Sequence, residues 1–353
     1  MNPWRRLVEV PRFLCAVVRD KRNEERKIYP YDHWARPPVH LNDIALALTC
    51  DCYGSLDTLM FGPDPARERE EIDRYVDSPG PVLHVRTWEL EWFVAKVLPR
   101  IRRRFILATF NSDRTVPDEV TEAAEAIAAS GKVVHWFTRN YSGRRYRDWI
   151  TGVPIGLFFE KTHNVILDQQ PRSFAAMWVV MRPVVEQERR LREVVARVPP
   201  TSRRLPLVCA DFWKSNSTRG RRFGETRAQV RQALRRNPNL VWPWRRCSQV
   251  QLFRLWQRYA FVISPHGDGL DCYRTWEAML AGCIVIVKTS PLDYLYRDLP
   301  VVIVGDWAEI TRENLAVWAE RFGDGFDRRP LHERLSLEYW RRLIRATATQ
   351  KLN

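Results

Sequence analysis

The chain has 353 residues, more than one ordinary domain of roughly 100–200, so two domains around a cleft are expected. Hydrophobic residues make up 45% and charged residues 28%, which excludes a disordered chain. Basic residues outnumber acidic ones 57 to 42, a net charge of +15, which fits nucleic acid, an anionic membrane or phosphorylated small molecules without choosing among them; the motifs below point to the last, and no nucleic acid is expected.

Seven cysteines, at 15, 50, 52, 209, 247, 272 and 283, form no CxxC pair; the spacing predicts reduced, mostly buried thiols and no metal site. No apolar run approaches the roughly 20 residues that span a bilayer, and the start Met1-Asn-Pro-Trp-Arg-Arg lacks a signal peptide's apolar stretch, so a cytoplasmic location is expected. Residues 4–18 set Trp4, Leu7, Phe13 and Leu14 against Arg5, Arg6 and Arg12, a pattern that suits peripheral membrane contact or a helix packed on the body; Pro11 weakens the former.

Along the chain, residues 1–40 read as an N-terminal extension. Strand-length apolar runs then alternate with patterns of helical period, the mark of β-α-β units and mainly parallel sheets. Residues 41–175 form a first Rossmann-like domain, with strands predicted at 44–49, 81–85, 105–110, 132–137 and 153–158 and a helix at 117–130. Charged helices within 172–198 lead to a boundary at Val198-Pro-Pro-Thr-Ser, giving a linker over 176–204. Residues 205–325 form a second Rossmann-like domain, with strands at 205–210, 240–243, 261–264, 283–287 and 301–304 and helices at 226–236, 248–258, 271–280 and 311–321. Residues 326–353 supply a last helix, 331–348, that packs back on the first domain.

Between strand 261–264 and helix 271–280 stands Pro265-His-Gly-Asp-Gly-Leu-Asp. Pro265 stops the strand, and Gly267 and Gly269 let the backbone approach a ligand where helical amides begin, at the end of a parallel strand where α/β sheets bind their ligands. On the helix, Asp271, Arg274 and Glu277 share one face and Tyr273, Trp276 and Leu280 another. Glu277 can accept two adjacent sugar hydroxyls, and Arg274 and His266 can neutralise a diphosphate, so the set reads as a nucleotide site. Singly each has a structural explanation, with Asp271 as a helix cap and Arg274 with Glu277 as a surface pair; together at one turn they favour a site. The turn is neither a GxGxxG nor a P-loop.

Ser264-Pro-His-Gly-Asp-Gly-Leu-Asp-Cys-Tyr-Arg-Thr-Trp-Glu-Ala-Met-Leu-Ala-Gly-Cys, followed by Ile284-Val-Ile-Val and Ser290-Pro-Leu-Asp-Tyr-Leu-Tyr, resembles the exostosin-type glycosyltransferases. Upstream, Asp211-Phe-Trp-Lys-Ser-Asn-Ser-Thr with Arg227 extends the likeness, which covers about 205–310; Val134-His-Trp-Phe-Thr-Arg-Asn matches more loosely. The resemblance implies the GT-B fold, two Rossmann-like domains across a cleft, the first holding acceptor and the second the donor. It implies transfer of a sugar from a nucleotide-sugar, UDP by resemblance, to a glycan or glycoprotein acceptor hydroxyl, with inversion and with no metal or other cofactor. Glu277 then holds the ribose, Arg274 supports the diphosphate or sugar, His266, Gly267 and the helix start frame the phosphates, and Asp268, Gly269 and Asp271 also bind the donor nucleotide-sugar. Lys214, Arg219 and Arg227 are further candidates for phosphate charge, because a metal-independent site neutralises its leaving group with side chains and helix dipoles. Val285 replaces the usual Pro, and the family's membrane anchor is missing.

Inversion needs one general base, expected from the first domain. Asp113 and then Asp51, each after an apolar run, are the candidates; His84, within a strand, reads equally as a core residue. Trp88, Trp92, Trp136 and Trp149 suit sugar stacking or core packing. A different class, a basic nucleic-acid-binding protein, draws on the charge and on Trp242-Pro-Trp-Arg-Arg but lacks any known module. An inactive glycan- or nucleotide-binding protein of the same fold is the third reading.

Overall fold

The computed structural model describes residues 34, 36–55, 58–59, 62–159, 183–212, 223–244 and 247–352. Stretches such as Phe105-Ile-Leu-Ala-Thr-Phe are largely apolar and buried at every position, which suits a parallel strand covered on both faces. Strands β1 (Val82–Arg86), β2 (Phe105–Phe110), β3 (Val133–Thr138) and β4 (Ile150–Gly152) form one all-parallel sheet in chain order. Strands β5 (Leu205–Cys209), β6 (Leu240–Val241), β7 (Tyr259–Ile263), β8 (Ile284–Lys288) and β9 (Val301–Val304) form a second, also parallel, in the order β6-β5-β7-β8-β9. This is the expected α/β class with two parallel sheets. In the second sheet the chain leaves β5 in one direction to β6 and returns past it to β7, so the order reverses there and opens a crevice at the carboxyl ends of β5 and β7.

The helices are α1 (Asp43–Ala47), α2 (Glu68–Val76), α3 (Leu90–Trp92, running into a π-turn at Phe93–Val97), α4 (Thr121–Ala129), α5 (Val184–Val195), α6 (Arg227–Leu234), α7 (Gln249–Trp256), α8 (Tyr273–Leu280), α9 (Arg312–Phe322), α10 (Arg329–Arg334) and α11 (Leu337–Leu352). Helices α6 and α7 each begin with a capping box, Thr226 with Gln229 and Ser248 with Gln251, which satisfies end amides reciprocally.

Alternation along the strands sends side chains to two cores. Leu83, Val85, Leu107 and Trp136 pack with Ile72, Phe93 and Ile127 on one face of the first sheet. Ile106, Ala108 and Phe137 pack on the other face with Ile44 of α1 and with Trp340, Ile344 and Ala348 of α11. That second core continues into the other half through Val262, Trp276 and Val285, whereas Phe261, Ile263 and Ile284 face α6 and α9.

Three elements depart from expectation. Residues 44–49, read as a strand, are largely helix α1: Asn42 caps it by accepting from the Ile44 and Ala45 N–H groups, and a short apolar run carries no period that separates a buried strand from a buried helix. Residues 153–158 form no strand. Their backbone bonds go elsewhere, Leu157 N–H to the Leu41 carbonyl (2.8 Å) and Phe158 N–H to Glu277, so they form a strap after β4. The last helix is broken into α10 and α11 at Leu335-Ser336.

Candidate functional site

The carboxyl ends of both sheets meet. From the second sheet come Asp211 after β5, Ser264 to Leu270 after β7, and α8; from the first come Ser112 and Asp113 after β2, and Arg139 and Asn140 after β3. An added Cβ on Gly269 would lie 3.1 Å from Asp113 Oδ1 and 3.2 Å from Asn140 Nδ2, so glycine is what lets the turn approach the opposite wall. Asn111 and Asn140, at the ends of β2 and β3, have φ of 58° and 54°, left-handed turns that asparagine tolerates and that recur at functional sites.

Arg227 organises the turn from beneath. Its Nε donates to the His266 carbonyl (3.0 Å), and its Nη2 to the Pro265 carbonyl (3.3 Å) and to Cys272 Sγ (3.5 Å). Burial lowers its pKa, and the charge of Arg274 lowers it further. Arg274 in turn donates through Nε to Asp211 at 3.2 Å. Two guanidinium groups therefore lie close together under the turn, with Asp211 and, beside Arg274, Glu277 as carboxylates among the described residues, an arrangement suited to an incoming anion. The start of α8 adds to it: Cys272 makes no side-chain cap, and of the first-turn amides that of Thr275 donates to the Cys272 carbonyl (3.0 Å). Burial lowers the pKa of His266, and its Nδ1 lies 3.2 Å from the Leu270 carbonyl. A carbonyl only accepts, so Nδ1 carries a proton and donates there. Asp268 is exposed at the tip.

Glu277 is buried, and burial pushes its carboxyl up to about 7 against the pull of Gln249 Nε2 (2.8 Å) and the Phe158 N–H (3.1 Å), both on Oε1. Asp271 is used differently. Its Oδ1 accepts the Trp276 indole N–H (2.7 Å), its Oδ2 accepts the Ile155 N–H (2.7 Å), and its own N–H donates to Asn140 Oδ1 (2.9 Å). Both oxygens are thus engaged, Oδ1 within the second half and Oδ2 in joining the halves, and burial raises this carboxyl to about 6.

On the first-domain wall Arg139 is buried between Asp43 (3.0 Å) and Asp113 (3.3 Å) and also donates to the Ser112 carbonyl. Burial opposes its charge, but Tyr273, Asp43, Asp113 and Asp271 around it hold its pKa above the usual value. Asp113 keeps 39% of its side chain exposed beside Gly269. Asp51 lies elsewhere: its Oδ2 accepts the N–H of Val82, the first residue of β1, and Arg345 of α11 holds both its oxygens at 2.7 and 2.8 Å. It therefore sits at the amino end of the sheet, opposite the cleft. His84 is a core residue, stacked on Phe110 (5.5 Å) and pushed to about 3 by burial.

The structure thus brings together Asp113, Arg227, His266, Gly267, Gly269, Asp271, Arg274 and Glu277, and leaves Asp51 apart. Lys214, Arg219 and residues 4–18 lie outside the described residues. Asp43, Arg139, Asn140, Asp211 and Gln249 were not singled out as site residues from the sequence. Arg139 and Asn140, directly after a strand, carried a usable signal; Gln249, 28 residues from its partner, carried none. Trp136 and Trp149 pack edge to face with their indole N–H groups bonded to Thr109 and to the Val133 carbonyl. Trp242 packs against Phe212 under Arg231. The six described cysteines are free thiols, and among the described residues no three His, Cys, Asp or Glu side chains are grouped to hold a metal. Among those residues, too, no helix is long and apolar enough to cross a membrane.

No family model and no curated protein sequence matches the chain. Solved structures similar to it include the UDP-forming α,α-trehalose-phosphate synthases of Burkholderia xenovorans (TM-score 0.41, 12% identity, 82% of this chain and 81% of that one) and Burkholderia vietnamiensis (0.38, 11%, 80% and 77%). A wall teichoic acid polymerase is similar at TM-score 0.22 and 11% identity, over 81% of this chain and 95% of that one. At these values no residue or activity is carried over from them.

Proposed function

We propose that the protein is a glycosyltransferase of the GT-B kind, moving a sugar from a nucleotide-sugar to a hydroxyl of a glycan or glycoprotein. The observation that carries this is the pairing, at the reversal point of the second sheet, of two neighbouring guanidinium groups, Arg227 and Arg274, with a buried carboxylate, Glu277, on uncapped helix α8. The cations and helix amides suit a diphosphate, and Glu277 suits two ribose hydroxyls. The exostosin-like motif over 264–283 supports the same assignment and favours UDP.

Asp113 is the proposed base, since it stands across the turn from the donor loop with its carboxylate partly open. It takes the proton from the acceptor hydroxyl as that oxygen attacks the anomeric carbon; the bond from that carbon to the phosphate oxygen breaks, and its electron pair leaves with the nucleoside diphosphate. Attack from the face opposite the leaving group inverts the centre. Arg227, Arg274 and the α8 amides take up the charge that develops on the diphosphate, which is the basis for proposing that no metal is required.

The deciding experiment titrates purified protein with UDP, GDP, CMP and a short oligonucleotide at low and physiological salt, with and without EDTA. Saturable UDP or GDP binding that survives salt and EDTA and disappears in Glu277→Ala is expected. Oligonucleotide binding that falls steeply with salt, with no nucleotide bound, overturns the reading in favour of a nucleic-acid-binding protein.

A further inference from the structure

Glu277 is held through one oxygen. Oε1 accepts the Phe158 N–H and Gln249 Nε2, and the same Gln249 nitrogen donates to the Phe158 carbonyl at 2.6 Å. A side-chain amide nitrogen carries two protons, so both of its bonds form together and close a ring: peptide of Phe158, carboxylate of Glu277, amide of Gln249. Oε2 makes no hydrogen bond to any described residue.

The ring joins three separate elements: the strap after β4, the first residue of α7, and α8. The strap is itself fixed to the first domain. Gly156 adopts φ +74°, where an added Cβ would lie 2.2 Å from the Leu41 carbonyl oxygen, and Asn42 Nδ2 donates to the Leu157 carbonyl at 2.9 Å. Gln249 is therefore the side chain that ties the carboxylate to a rigid piece of the opposite domain.

We propose that Gln249 is a positioning residue of the donor site: it locks Oε1 against the Phe158 peptide so that Oε2 is the oxygen turned to the ligand's vicinal hydroxyls, and it makes the first domain's strap part of that site. This rests on the nucleotide-sugar reading above. A carboxylate without this lock keeps only the Phe158 N–H on Oε1, losing one restraint on its orientation and a donor that favours its ionised form. The charged groups facing it are Arg274 on its own helix, which helps the ionised form, and Asp211 at the end of β5, which opposes it. Removing Gln249 therefore raises the pH at which Glu277 ionises and weakens ligand binding most where the carboxyl has become neutral.

The test uses the full chain with ¹³C-labelled glutamate carboxyls, titrated by NMR; the Glu277 signal is identified by its loss in Glu277→Gln. Wild type, Gln249→Met and the smaller Gln249→Ser are each titrated and their UDP affinity measured from pH 6 to 9, so that one poorly folded variant does not decide the result. The expected result is a Glu277 midpoint at least about one pH unit higher in the variants, with a UDP affinity loss of about tenfold at pH 7 that shrinks by pH 9. An unmoved midpoint in a variant that binds UDP, or a loss equal at every pH, overturns the role of Gln249 while leaving the nucleotide reading intact. If wild type binds neither UDP nor GDP at any pH, the donor-site assignment falls with that reading, whatever the midpoint does.

Discussion

On the second-domain wall of the cleft, Arg227 and Arg274 stand near Asp211, with Glu277 beside Arg274, whereas on the first-domain wall one cation, Arg139, is held between two carboxylates, Asp43 and Asp113. Among the described residues, with Glu277 raised to about 7 by burial, cations are in excess on the second wall and carboxylates on the first. The turn of 264–270 is therefore the side that gains most from an incoming anion, and Asp113, partly exposed at the lip of a network in which Asp43 also pairs Arg139, can take up a proton without leaving that cation unpaired. Binding and proton transfer should be separable by mutation.

The sharpest separation pits Asp113→Asn against Glu277→Ala. The former is expected to lower turnover by about 10²–10⁴-fold, the range of a lost general base, with UDP affinity within about twofold of wild type; parallel loss of both in calorimetry and rate assays would erase the distinction between the walls. Arg274→Ala comes next. Removing a charge-assisted contact is worth about 1.5–3 kcal/mol, so UDP affinity should fall about 10- to 150-fold, with a smaller fall for a neutral nucleoside that lacks the diphosphate.

A gentler probe is pH. If the ribose hydroxyls need the ionised Glu277, UDP affinity should be flat above about pH 7 and fall by about tenfold per unit below it, and Glu277→Gln should lack that slope. In the unliganded protein the sign is opposite. The folded state retains a proton that the unfolded chain releases between 4.5 and about 7, so this group lowers stability as pH rises through that window, and melting curves of wild type and Glu277→Gln should diverge across it. The smallest effect on chemistry is expected at Asp51. Asp51→Asn weakens its partly exposed bond to Arg345, costing about 1 kcal/mol in denaturant unfolding and leaving UDP binding unchanged.

The same contrast marks what the sequence made legible. The second-domain turn could be read because its glycines, histidine, arginine and glutamate are neighbours in the chain and their periodicity on α8 assigns the faces. The first-domain wall is assembled from Asp43, Asp113 and Arg139, whose pairing depends on sheet order and not on local pattern. Asp51 shows the cost of one wrong element. A carboxylate after an apolar run marks the carboxyl end of a strand only if the run is a strand; here the run is largely α1, and Asp51 lands at the opposite end of the sheet. Asp271, on the right turn, was still assigned to ligand from its face on the helix, since nothing local reveals that Ile155 and Trp276 occupy its oxygens.

Helix α11 lies on the first sheet although it follows the whole of the second, and its Trp340, Ile344 and Ala348 complete the core that Ile106, Ala108 and Phe137 begin. During synthesis the sheet formed first thus keeps the part of that face not covered by α1 bare until residues beyond Leu337 have left the ribosome, by which time the second sheet is complete. The usual order, in which the N-terminal domain finishes folding before the next begins, is reversed. A nascent chain stalled after β9 should expose that face to a hydrophobic dye, and one stalled well past Leu352 should not.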